Sequence, residues 1–279
     1  MVTLLFWNTN GKGLEGRVSR LAAEHKVDVL ALAECDVRPD VMLLALNAGA
    51  RAEFHYAPSY ADTGTESRTG RLAIYTRFSP EFLTPLEDRV GLFTARSLAL
   101  PGRTSVTLCV VHLPSKLYRD SHDQLSAAHE CAEGVRDIER RVGHDRTLLI
   151  GDLNMDPFEQ GVVSAHGLHA VATKQIAARG SRRVESQEYR FFYNPMWGCF
   201  GDQTPGPPGT YYRGASGYCT YFWHVFDQVL VRPALLDRLD SPCVRILPEG
   251  AAGSSVDDSG CPRTQDASDH LPILFSLDL

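Results

Sequence analysis

The sequence predicts a mixed α/β fold, with residues 1–279 forming one domain. Short apolar runs bounded by turn residues alternate with amphipathic stretches, the pattern of strands interleaved with helices. No internal repeat or low-complexity linker divides the 279 residues. The last apolar run also follows a long polar loop and must return to a core, which keeps that loop inside the domain.

The elements follow in chain order. Residues 2–7 read as a first strand, and Leu14, Val18, Leu21 and Ala22 then mark one face of a helix. Residues 27–32 and 72–76 read as strands, separated by a segment whose residues 62–70 are rich in Gly, Thr and Ser. Residues 106–112 form the next strand. A long helix follows Ser121, with Leu125, Ala128, Ala132, Val135, Ile138 and Val142 along one stripe. Residues 147–150, 226–231 and 272–277 complete the strands. Between them lie a Pro- and Gly-rich loop at 201–217 and a small, polar, acidic one at 249–266.

Bulk properties narrow the function. No apolar run reaches the ~20 residues of a membrane span, and the N-terminus reads as a strand without a basic leader, so the intact chain is expected to be cytoplasmic. Seven cysteines lack any C-x-x-C pair, which disfavours a disulfide framework or zinc ribbon and predicts reduced, buried thiols. A net charge of −6 weakens a role in binding nucleic acid by charge alone. It leaves room for an enzyme that meets phosphate with a metal and a few local cations.

The chemistry resides in the polar residues at strand tips. Asn8 and Asn10 follow the first strand, Glu34 the second, and His112 ends Cys109-Val110-Val111. Asp152 and Asn154 follow Leu148-Leu149-Ile150-Gly151, and Asp269-His270 precede the last strand. Taken singly, each has an ordinary explanation as a cap, a turn former or a structural histidine. The ordered set does not, because rigid strands with functional groups at their ends are a common way to build a site.

That set resembles the endonuclease/exonuclease/phosphatase superfamily, in its deoxyribonuclease-like branch with a strand-end histidine. The matching pieces are Trp7-Asn8-Thr9-Asn10-Gly11, Leu32-Ala33-Glu34, Val111-His112-Leu113, Gly151-Asp152-Leu153-Asn154, Phe226-Asp227-Gln228-Val229-Leu230 and Ser268-Asp269-His270-Leu271-Pro272-Ile273. The resemblance implies two mixed β-sheets packed as a sandwich, with helices on the outer faces in four layers.

It also implies roles. Glu34 would be the principal Mg²⁺ ligand, Mn²⁺ being the alternative ion, assisted by Asn8 or Asn10 and by Asp269. Asp152 would orient or deprotonate the attacking water, and Asn154 would hold the phosphate or its developing charge. His270 would bind the scissile phosphate, oriented and kept protonated by Asp227. His112 would be a second phosphate contact or the proton donor to the leaving oxygen. Two positions depart from the pattern. Ala33 stands where many relatives carry glutamine. Gly70-Arg71 stands where deoxyribonuclease-like relatives place an acid behind the first histidine, and Glu66 is the acid that would have to serve instead.

Positive charge near the motifs suggests further phosphate contacts. Lys116 and Arg119 follow His112, Arg96 lies in a strand-like stretch, Arg182-Arg183 lie between the Asp152 and Asp227 motifs, and Asn8 is a further candidate. Aromatic residues crowd the same interval and are divided between core positions and a base-stacking segment at 189–197. The favoured substrate is nucleic acid, DNA or RNA, cut by in-line attack of water. The alternative is a small phosphate ester, an inositol or a lipid head group. A non-catalytic binding protein on the same fold is the third reading, disfavoured by the complete set of acid, base and histidine residues.

Overall fold

The computed structural model describes residues 1–49, 53–58, 72–117, 120–214, 218, 220–251 and 253–279. Two large sheets dominate. In the six-stranded sheet the order is Val244–Ile246, Ile273–Leu277, Val2–Asn8, Val29–Ala33, Ala73–Thr76, His55–Tyr56. In the seven-stranded sheet it is Leu83–Arg89, Phe93–Leu98, Val106–His112, Thr147–Asp152, Asp227–Val231, Phe192–Tyr193, Ala170–Val171. Each sheet has one long parallel pair near its centre, Val2–Asn8 with Val29–Ala33 and Val106–His112 with Thr147–Asp152.

Alternation along the strands explains why the runs are apolar throughout. Leu4, Phe6, Val29, Ala31, Ile273 and Phe275 of one sheet share a core with Leu108, Val110, Leu148, Ile150 and Val229 of the other. The intervening residues face outward and are covered. Leu5, Trp7, Leu30 and Leu32 pack with Val18, Leu21, Ala22, Met42 and Leu46, from the helices Glu15–Glu24 and Pro39–Asn47. Cys109, Val111 and Leu149 pack with Ala128, Cys131, Ala132, Val135 and Ile138, from the helix Ser121–Val142. Strands buried on both faces lose the period-2 polar alternation. The result is the expected sandwich with helices on its outer faces.

Local chemistry fixes the long helix. The Asp120 side chain accepts from the N–H groups of His122 and Asp123, and Gly143 ends the helix at φ 74° with its N–H donating to Glu139. Gly134 faces Phe93 across the layer, where a Cβ would lie 2.8 Å from the ring, so the helix can approach closely. Gly151 is demanded more strictly. At φ 154° its Cβ would fall 2.0 Å from the Val111 carbonyl oxygen, so only glycine lets the two central strands stay in register here.

The predicted strands and both predicted helices recur with ends shifted by one or two residues. The helix Pro39–Asn47, the strand Leu83–Arg89 and several two-residue strands were not anticipated as elements, while the strand-like stretch around Arg96 is the strand Phe93–Leu98. The 62–70 loop, with Glu66 and Gly70, lies outside the described residues, as do Arg71 and Arg119. Cys109, Cys131 and Cys243 are buried free thiols. Among the described residues, no helix is long and apolar enough to cross a membrane.

Candidate active site

The tips of the central strands meet at one end of the sandwich. Val2–Asn8 and Val29–Ala33 run parallel with Asn8 opposite Ala33, so Asn8 and Glu34 emerge side by side. The following turn clamps Glu34 in place. Its carbonyl accepts from the Gly11 N–H at 2.8 Å and the Thr9 hydroxyl at 3.0 Å, and its backbone sits at φ 47°. A left-handed non-glycine residue is uncommon and is held here by its surroundings. Asn10 and Asn154, at φ 50° each, share this trait, so three of the strand-tip residues occupy constrained turns.

On the other sheet, His112 pairs in register with Asp152, and Asp152 with Asp227. This places three functional side chains on adjacent strand ends. Asn8 joins the two sheets, its Nδ2 donating to Asp152 Oδ2 at 2.9 Å and to Glu34 Oε1 at 3.3 Å. The amide oxygen of Asn8 faces away, accepting the Asn10 N–H at 3.0 Å. In this arrangement Asn8 orients two carboxylates and offers them no oxygen of its own. His112 Nε2 approaches the same carboxylates, 3.4 Å from Glu34 Oε1 and 3.9 Å from Asp152 Oδ2. The hydrogen bond from His112 holds the Glu34 carboxyl down to about 2, against burial, which acts in the opposite direction.

His270 and Asp227 form a buried pair, Nδ1 to Oδ2 at 2.8 Å, while His270 Nε2 lies 3.8 Å from Asp152 Oδ2. Burial pushes the His270 imidazole towards neutrality. The carboxylates of Asp227, Asp152 and Asp269 outweigh burial and raise its pKa to about 10. For Asp227, complete burial raises the carboxyl and opposes an ion pair. The close contact and the converging carboxylates favour the charged pair, with the proton on His270 at neutral pH. Ser268 tethers the segment, its hydroxyl donating to the Asn8 carbonyl at 2.6 Å and accepting the His270 N–H at 3.1 Å.

Asn8, Asn10, Glu34, Lys116, Asp152, Asn154, Asp269 and His270 are among the residues that line a cleft of about 360 Å³, with His112 in contact with Glu34 and Asp227 with His270. Asp152, Asp227 and His270 bring one ligand-type atom each within 4.8 Å of one another. The Nδ1 edge of His270 is taken by Asp227, so this trio suits proton and phosphate handling better than metal binding. Glu34, Asp269, Asn10 and Asp152 also line the cleft, and their side-chain oxygens are of the hard type that a divalent cation takes. Asn154 is fixed by its N–H to Asp152 Oδ1 at 2.8 Å and by Nδ2 to the Leu113 carbonyl at 3.0 Å.

Several expected cationic contacts lie elsewhere. Arg96 is 1% exposed, donating to Asp88 at 2.9 Å and to the Ala95 and Pro58 carbonyls, so it neutralises a buried acid instead of meeting phosphate. Arg182 lies on the ribbon Ser181–Val184/Gln187–Arg190 and donates to His169 at 2.8 Å. Tyr189, Phe191 and Phe192 are buried in packing, which removes them as a base-stacking surface. Lys116 does line the cleft, paired with Glu159 and lying 5.1 Å over the Phe226 ring. Sequence reasoning missed His224 and its partner Asp156, which meet at 2.7 Å beside the same cleft. Only the proximity of His224 to the Asp227 motif could have flagged the pair.

Comparison with known proteins adds a family. Residues 5–270 match the family model described as "Endonuclease/Exonuclease/phosphatase family". No curated protein matches in sequence. Among solved structures, a family protein from Leptotrichia buccalis C-1013-b is similar at TM-score 0.56 and 14% identity, covering 100% of both chains. D. rerio TDP2 complexed with single strand DNA product has TM-score 0.57 and 16% identity, covering 100% of this chain and 99% of that one. The human Nocturnin catalytic domain with bound sulfate anion has TM-score 0.54 and 14% identity, covering 99% and 94%. At such identities the likeness is one of fold.

Proposed function

Since this chain belongs to the endonuclease/exonuclease/phosphatase family, we propose that it is a divalent-metal-dependent phosphodiesterase, in the first place a nuclease acting on DNA or RNA. The observation that carries the reading is the convergence of Glu34, Asp152 and His270 on one cleft, tied across both sheets by Asn8 and backed by His112 against Glu34 and by Asp227 against His270. The residues also support treating the chain as a single domain, since each sheet supplies part of the cleft.

Glu34, with Asp269 and Asn10, would hold the cation, Mg²⁺ or Mn²⁺. A bound cation polarises the phosphoryl oxygens and offsets the charge that develops on them. Protonated His270 donates Nε2–H to a non-bridging oxygen of the scissile phosphate, while Asp227 fixes its tautomer and charge. The Asp152 carboxylate, held by Asn8 and the Asn154 N–H, orients the attacking water and accepts its proton. Asn154 Nδ2 keeps one hydrogen beyond its bond to Leu113 for the developing negative charge. His112 serves as a further phosphate contact or as the donor to the leaving oxygen, with Lys116 at the rim.

A cleft of about 360 Å³ is also within the size range of small-molecule pockets, which favours a small nucleotide or inositol-type ester, or a lipid head group, as the second reading. Nicking of supercoiled plasmid with Mg²⁺, beside an EDTA control and an Asp152→Ala/His270→Ala variant, separates the two. Metal-dependent nicking that the variant loses is expected. Intact plasmid with every metal, alongside turnover of small esters, would move the assignment to the second reading.

A further inference from the structure

The Asp156–His224 pair has no part in the chemistry above, yet its histidine borders the same cleft. His224 ends the short strand Trp223–His224, paired with Tyr211–Tyr212. Its Nδ1 lies 2.7 Å from Asp156 Oδ2, and Asp156 Oδ1 accepts the Val225 N–H at 2.9 Å. Asp156 is 1% exposed, so both of its oxygens are fixed and its carboxylate reaches the cleft only through the imidazole. The ring is stacked on Phe226 with centroids 4.6 Å apart. Tyr211 stands between the two imidazoles, its ring 6.2 Å from His224 and 4.8 Å from His270.

A carboxylate on Nδ1 fixes the orientation and tautomer of a histidine. In its protonated form the ring then keeps one N–H for Asp156 and presents the other, at Nε2, to the cleft. Nε2 has no hydrogen-bond partner among the described residues, and it is not sealed from solvent. Lys116 and Arg213 line the same cleft, so donors and cations gather on this side, one aromatic ring away from His270.

We propose that the Asp156–His224 pair binds a second phosphate group, adjoining the one that is cut. This rests on the phosphodiesterase reading only for the identity of the phosphate at His270. The shared chemistry is a phosphate oxygen accepting from Nε2, and the substrate then carries at least two phosphates. The second is either the next diester of an oligonucleotide or a terminal phosphomonoester.

Calorimetric binding in EDTA, where no cleavage intervenes, tests the proposal with TpT (one phosphate), pTpT (a diester and a terminal phosphate) and TpTpT (two diesters). The wild-type protein is expected to bind a two-phosphate ligand roughly tenfold or more tightly than TpT. His224→Ala, and the size-conserving His224→Gln as a second variant, should bring that ratio close to one, with thermal unfolding confirming the fold. A gain confined to pTpT identifies the terminal phosphate, and a gain with TpTpT the neighbouring diester. Equal wild-type affinities, no measurable binding, or a ratio that survives both variants overturns the proposal. A ratio that behaves as expected in a protein that cuts no ester would defeat the phosphodiesterase reading alone.

Discussion

His270 keeps its proton to about pH 10 because the Asp227, Asp152 and Asp269 carboxylates outweigh the burial of its ring. The function assigned to it therefore persists below that value and is lost as pH rises through it. Asp227→Asn removes the nearest of those charges, so the alkaline limb of the rate profile should move towards neutral pH, with activity falling most at high pH. A profile displaced equally at all pH values would sink the pairing. A second histidine works with the opposite sign. Burial, with Arg182 adding to it, lowers His169 to about 4, and its ring is held between Arg182 and the Arg190 carbonyl. An unfolded histidine titrates near 6.5. The unfolded chain thus binds the extra proton between about pH 6.5 and 4, and stability falls as pH drops through that window. In His169→Gln, the fall in Tm between those pH values should be shallower than in the wild type; parallel curves would remove His169 as a contributor.

At the scale of elements, the site depends on the register between Val106–His112 and Thr147–Asp152, which sets His112 opposite Asp152. Gly151 permits that register, so Gly151→Ala must force the Val111 carbonyl away. The expected loss is about 1–3 kcal/mol or more, read as a lower urea midpoint and accompanied by reduced activity. A midpoint equal to that of wild type would show that the strands yield without strain. The same scale explains what the sequence made legible. Strands such as Val29–Ala33 and Thr147–Asp152 are buried on both faces, so they stand out as apolar runs, and the polar residues at their tips stand out by contrast. The helix Pro39–Asn47 was hidden because its apolar residues are spread around it, Met42 buried while Leu44 is 78% exposed. The strand Leu83–Arg89 was hidden as a sheet edge carrying Glu87, Asp88 and Arg89, the charged composition that edges favour. Arg96 misled because sequence marks a cation near a motif but not the Asp88 that neutralises it. Asp156 and His224 lie 68 positions apart and meet only through the fold.

For the whole molecule, the sandwich brings groups from opposite ends of the chain to one edge. Asn8 and Glu34 come from one sheet, His112, Asp152 and Asp227 from the other, and His270 from the segment that leads back into the first. Neither sheet holds the cleft alone, so the account stands or falls on their acting as one metal-assisted site. The most direct test leaves the natural substrate aside: turnover of bis(p-nitrophenyl) phosphate by wild type and Glu34→Gln, with Mg²⁺, with Mn²⁺ and with EDTA. The account predicts hydrolysis that requires metal and falls on the order of 10²-fold or more in the variant, as expected for loss of a main charge-stabilising group. Hydrolysis undiminished by EDTA, or equal in Glu34→Gln and wild type, would contradict it.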